Sequence, residues 1–83
     1  MSSLPARLEP IAVDLRIDDS TLHLRLLDGR ELSVPLAFFP RLDAATPEQR
    51  ANWRWIGGGV GIHWPDVDED LSVRGMLLGT ASV

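Results

Sequence analysis

IAVDLRIDDSTLHLRLLDGRELSVP, residues 11–35, decides how this chain folds, because apolar and polar positions alternate through it and two turn signals interrupt it. In residues 11–17, Ile11, Val13, Leu15 and Ile17 fall on one face and Ala12, Asp14 and Arg16 on the other. Such period-two alternation marks a half-buried strand. Leu22, Leu24 and Leu26 then alternate with Thr21, His23, Arg25 and Leu27. A two-residue Asp19-Ser20 turn opposes Ile17 to Leu22, Leu15 to Leu24 and Val13 to Leu26, which makes the two apolar faces coincide.

The second turn contains Asp28-Gly29, the usual two-residue hairpin signal. Used that way, it would set Leu26 beside Glu31, and a one-residue slip turns every side chain to the wrong face. A three-residue loop, Leu27-Asp28-Gly29, with Gly29 left-handed in a bulge, repairs the register. Leu24 then faces Leu32, and Leu22 faces Val34. On the polar face Asp14, Arg25 and Glu31 form one row, and Arg16, His23 and Ser33 its neighbour. A solvated sheet face accounts for His23 near Asp14 better than an acid/base pair does.

Pro35 ends the third strand because it lacks the amide hydrogen a ladder requires. Leu36, Ala37, Phe38, Phe39 and Leu42, interrupted by Pro40, read as a helical turn folded over the sheet edge with both phenylalanines in the core. The sharper alternative is an exposed Phe38-Phe39 pair that docks a partner. Thr46-Pro47-Glu48-Gln49 has the form of a helix start, with Thr46 as N-cap, Pro47 at the first position and Gln49 closing a capping box. That helix should run from Pro47 to about Asn52.

Residues 53–79, WRWIGGGVGIHWPDVDEDLSVRGMLLG, hold all three tryptophans and six of the seven glycines. A Gly58-Gly59 turn, with positive φ at both residues, predicts a hairpin in which Trp53 faces Trp64 and Trp55 faces Ile62. Arg54 and His63 become neighbours on the other face. The acids after Pro65 are expected to lead into a C-terminal helix, since carboxylates favour a helix N-terminus. Ser72 is its N-cap, Leu71 and Met76 its hydrophobic staple, Gly79 its left-handed C-cap, and Val73, Met76 and Leu77 its buried stripe.

Three ligand patterns fail on spacing. A dinucleotide fingerprint starting at Gly57 needs a glycine where Ile62 stands, and a phosphate loop needs a lysine, which the chain lacks. Asp66, Asp68 and Asp70 open like a calcium loop, but Leu71 and Leu77 occupy the positions that require glycine and glutamate. A looser Mg2+ or Mn2+ site near His63 is the remaining metal reading; no metal, cofactor or catalytic residue is assigned.

The net charge is −4, and eight arginines spread through the sequence form no basic stripe. Direct binding to nucleic acid is disfavoured, because phosphate contacts require concentrated positive charge. No run of about 18 apolar residues suggests a membrane span, no secretory leader is evident, and cysteine is absent, so the expectation is a cytoplasmic protein. A length of 83 residues predicts one domain, with its core over about 10–79 and flexible ends at 1–9 and 80–83.

Taken together, the FFPRL turn, TPEQRANWRWIGGG and the GIHWPDVDEDLSVRGMLLG ending resemble the bacterial DUF2442 family over about residues 10–79. The resemblance implies a domain without an established biochemical function. It is similar to the N-terminal half of proteins that continue into a helix-turn-helix, a reader this chain is expected to lack. It also implies a second small protein encoded nearby, in an arrangement interpreted as toxin-antitoxin-like.

The sequence therefore predicts an α+β domain of order β-β-β-α-β-β-α: a three-stranded antiparallel meander, a short helix, a Trp/Gly-rich hairpin and a short C-terminal helix. The favoured function is a non-enzymatic interaction module, an antitoxin-like regulator whose partner protein is basic; a homodimer is a further expectation. Its candidate binding patch is Arg54, His63, Asp66, Asp68 and Glu69. The alternatives are a small-molecule or metal-dependent enzyme using that region, and a transcription-associated domain acting through a partner.

Overall fold

The structure, a computed structural model, describes residues 10–79. Strands β1 (Ala12–Ile17), β2 (Thr21–Leu26) and β3 (Glu31–Pro35) form one antiparallel sheet in that order. A 3-10 turn at Leu36–Phe38 and two short helices, α1 (Pro40–Asp43) and α2 (Pro47–Ala51), lead to a second antiparallel sheet. This sheet consists of β4 (Arg54–Ile56), β5 (Gly61–Trp64) and β6 (Glu69–Ser72), and α3 (Val73–Leu78) follows. The α+β class and the expected order hold, and β6 is an additional strand. The expected flexible ends, 1–9 and 80–83, lie outside the described residues. Among the described residues no helix is long and apolar enough to cross a membrane.

The meander has the register that its side chains require. Leu15 pairs with Leu24, Ile17 with Leu22, Leu24 with Leu32 and Leu22 with Val34. Gly29 is left-handed at φ +93, as the three-residue loop demands. One expected pair is wrong: Ala12, not Val13, stands opposite Leu26, because β1 bulges between Ala12 and Asp14. Ala12 is buried and Val13 is 41% exposed. The bulge accommodates a contact between the sheets, in which the Ala12 amide donates to the Gly59 carbonyl at 2.8 Å. Inserting Val13 as the extra residue frees that amide while Leu15 and Ile17 keep their places.

Beyond β3 the chain is stitched down by local hydrogen bonds. The phenylalanine pair divides, with Phe39 in the core and Phe38 71% exposed. The Thr46 hydroxyl accepts from the Gln49 amide at 3.1 Å, and the Gln49 side chain accepts from the Thr46 amide at 3.0 Å, completing the capping box. Arg50 in α2 donates from Nε to the Leu42 carbonyl and from its guanidinium to the Asp43 carbonyl, both at 2.8 Å. Its own carbonyl accepts from the Trp64 indole at 3.0 Å, so one residue ties α1, α2 and β5 together.

In the second sheet, Trp55 pairs with Ile62, as expected, and Ile56 with Gly61, while the register holds no pairing of Trp53 with Trp64. The connection is a four-residue turn rather than a two-residue one, with positive φ at Gly57, Gly58 and Gly59. Trp53 lies before β4 and packs edge-on against Trp55, with ring centroids 4.7 Å apart. The stretch expected to feed a helix instead forms β6, where Ile62 pairs with Leu71 and His63 with Asp70. Strand pairing buries Leu71 and outweighs the attraction of carboxylates to a helix end. Ser72 does cap α3, accepting from the Gly75 amide at 2.8 Å, and Gly79 ends it at φ +83. Leu77 is exposed, however, and Gly75 joins Val73 and Met76 on the buried side. One apolar cluster unites Leu22, Leu24 and Leu26 of the first sheet with Ile62, Trp64 and Leu71 of the second.

Candidate functional site

The outer face of the second sheet carries the chemistry. Alternation along β5 turns Ile62 and Trp64 inward, leaving His63 between them on the other side. Cross-strand pairing puts Arg54 of β4 next to His63 on one flank and Asp70 of β6 on the other. His63 Nδ1 and an Asp70 carboxylate oxygen are hydrogen-bonded. An ionised carboxylate only accepts, so the proton of a neutral imidazole resides on Nδ1 and Nε2 presents its lone pair. Arg54 makes no hydrogen bond or ion pair among the described residues. The three side chains form a row of cation, imidazole and carboxylate.

Beyond the Trp64–Glu69 pair that closes β5 and β6 lies the turn of residues 65–68, which two distant elements hold in place. Asn52, just after α2, donates to the Asp66 carboxylate at 3.0 Å. Arg41 of α1 donates to the Asp68 carbonyl at 2.6 Å. Asp68 itself is left-handed at φ +53, a region aspartate enters more readily than most residues. Asp66 and Asp68 thus stand in a fixed turn one residue pair along the strands from the row.

The expected patch is therefore divided. Arg54 and His63 share a face, and Asp66 and Asp68 belong to the adjacent turn. Glu69 pairs with buried Trp64, and alternation puts it on the opposite face from His63 and Asp70. Sequence reasoning missed Asp70, because that residue meets His63 only when the acidic stretch is a strand. The period-two pattern of Glu69, Leu71 and Val73 was the available signal. Arg41 and Asn52 act across 27 and 14 residues of sequence, and no local pattern announces them. No group of three His, Asp or Glu side chains among the described residues is placed to hold a metal ion.

A second histidine pair lies on the first sheet. His23 bonds through Nε2 to the Asp18 carboxylate at 3.0 Å and through Nδ1 to the Ser33 hydroxyl at 3.1 Å, while Asp14 stands beside Arg25, as expected, so the carboxylate that His23 meets is Asp18 and not Asp14. The residue types are those of a nucleophilic triad, but His23 lies on the exposed face of the meander. Asp18 also accepts from the amides of Ser20 and Thr21, at 3.0 and 2.8 Å. The Ser20 amide foremost, then His23 and the Thr21 amide, hold its carboxyl down at about 2. Asp18 and Asp19 border an open depression of about 240 Å³, shared with Ile17, Arg50, Ala51 and Trp53. Neither His23 nor Ser33 lines it.

Two solved structures are similar. A crystal structure of a protein of unknown function from Rhodospirillum rubrum is 28% identical, with a TM-score of 0.77 over 92% of this chain and 94% of that one. The solution structure of an uncharacterized protein from Chromobacterium violaceum shows the same fold at 24% identity, with a TM-score of 0.70 over 88% of this chain and 69% of that one. No curated protein matches. The model of DUF2442, a family described as protein of unknown function, matches residues 12–82, and the chain belongs to that family.

Proposed function

We propose that this protein is a non-enzymatic interaction module: an antitoxin-like regulator of a second small protein in the bacterial cytoplasm, contacted through the outer face of the second sheet. One observation carries the reading: the acidic turn of residues 65–68 is pinned by Asn52 and Arg41 beside the Arg54–His63–Asp70 row. A surface fixed before contact loses less entropy on binding than a mobile one. The carboxylates of Asp66, Asp68 and Asp70, with the net charge of −4, suit a basic partner. Co-purification of the tagged chain from its native host tests this. A stoichiometric partner that is lost with the Asp66→Ala/Asp70→Ala double variant supports the proposal. Recovery of the chain alone, or retention of the partner by that variant, counts against it.

The Asp70–His63 contact favours a second reading, acid/base chemistry at His63, because it supplies the orienting partner a catalytic imidazole needs. Here a metal ion would meet the Nε2 lone pair alone, whereas an anionic small molecule would meet Arg54 as well. Titration with Mn2+ and Zn2+, compared with His63→Ala and Asp68→Ala, separates the two: micromolar binding that depends on both residues favours the enzyme.

A further inference from the structure

The depression at the end of β1 has a composition that defines its occupant. Pro47, Ala51 and Ile17 give it apolar walls, and Trp53 adds an aromatic residue to the lining. Two carboxylates border it and differ in what they can still do. Asp18 accepts from Ser20 and Thr21 through Oδ1 and from His23 through Oδ2 and is held ionised at about 2, so it contributes charge with most of its accepting capacity already used. Asp19 makes no hydrogen bond or ion pair among the described residues. The cation in the lining, Arg50, directs its guanidinium at the Leu42 and Asp43 carbonyls of α1. Negative charge therefore predominates at the rim, and among the described lining residues Asp19 is the one whose carboxylate is wholly uncommitted.

Size narrows the occupant further. A volume of about 240 Å³ is below the roughly 300 to 1,000 Å³ of pockets that enclose small ligands. It suits one long side chain entering from a polypeptide that crosses the opening. A planar guanidinium lies flat on an indole while donating in its own plane to a carboxylate, a combination that a lysine ammonium reproduces less well. We propose that this depression accepts an arginine side chain from a partner polypeptide, with Trp53 and the Pro47–Ala51 wall against the stem and Asp19 pairing with the guanidinium. The assignment rests on the interaction reading above, but its test needs no partner.

The test is an NMR titration of the 15N-labelled full chain with the peptide acetyl-Gly-Arg-Gly-amide. Saturable shifts are expected at the Asp18 and Asp19 amides and the Trp53 indole N–H, with a millimolar dissociation constant. A citrulline peptide of the same shape but no charge should bind at least about fivefold more weakly, and Asp19→Asn should weaken the arginine peptide about three- to fivefold. Asp19 makes no side-chain bond among the described residues, so that variant is expected to keep the wild-type spectrum elsewhere. The proposal is overturned by equal binding of the citrulline peptide, by indifference to Asp19→Asn, by shifts centred on residues 66–70, or by no saturation at all. Agmatine binding tenfold more tightly than the peptide also overturns it, in favour of a small free cation. If the titration fails while co-purification recovers a partner, the interaction reading stands and only this contact is lost.

Discussion

Gly59 shows how much one position can owe to its neighbours. A Cβ added there would lie 2.4 Å from the Ala12 carbonyl oxygen, and its φ of +121 is one that side chains avoid. Gly58 is left-handed too, at φ +74, but has open space around it. Gly58→Ala should therefore cost about 1 kcal/mol from the backbone alone, and Gly59→Ala about 2 to 3 kcal/mol as the two sheets are pushed apart. Urea midpoints of the two variants check the difference, and equal costs would mean the sheets adjust freely. Asp18 makes a pH prediction. Its folded carboxyl ionises at about 2 against an ordinary 3.8, so its stabilising effect is complete above the ordinary value and fades as pH falls through 2. Asp18→Asn should flatten the loss of stability between those two pH values, measured by denaturant midpoints across the range.

Elements marked by local chemistry were legible in the sequence: the three-residue loop at Gly29, the capping box at Thr46 and the helix stop at Gly79 each depend on residues within a few positions. The β6 strand was obscured because Asp66, Asp68, Glu69 and Asp70 satisfy two local rules at once, and only pairing with β5 chooses between them. With β6 went the orienting partner of His63, so the candidate site was legible in its residues and illegible in its arrangement. The Val13 bulge was hidden for the same reason, since the Ala12 amide it frees is met by Gly59 in the distant turn between β4 and β5. Arg50 is the strongest case of an element held from a distance. Replacing it with methionine, which retains much of the stem, removes two charge-assisted bonds to the α1 carbonyls and should cost about 2 kcal/mol. Arg25→Met on the exposed meander face, where the nearest carboxylate oxygen is 3.9 Å away, should change stability by less than about 0.5 kcal/mol. Thermal denaturation of both variants checks the contrast.

At the scale of the whole molecule, two small sheets have little independent means of support. A three-stranded sheet needs a covered apolar face, and here each face covers the other: Leu22 and Leu24 from the first belong to the same cluster as Ile62 and Trp64 from the second. A backbone bond reinforces the join, with Ala12 of β1 donating to Gly59 in the turn between β4 and β5. The tryptophans give a natural probe, because Trp53, Trp55 and Trp64 all belong to the second half of the chain and none to the meander. Leu22→Ala, a fully buried truncation in β2, should cost about 2 to 5 kcal/mol. If the two sheets share one cooperative transition, tryptophan fluorescence must shift its urea midpoint as far as far-ultraviolet circular dichroism does, although no tryptophan lies in the altered sheet. A fluorescence midpoint that stays at the wild-type value while the circular dichroism transition moves would show that the second sheet stands alone, and with it the surface proposed for the partner. Coincident shifts would mean that the Arg54–His63–Asp70 row exists only while the meander is folded beneath it, so that damage to the first sheet removes partner binding without touching the contact residues.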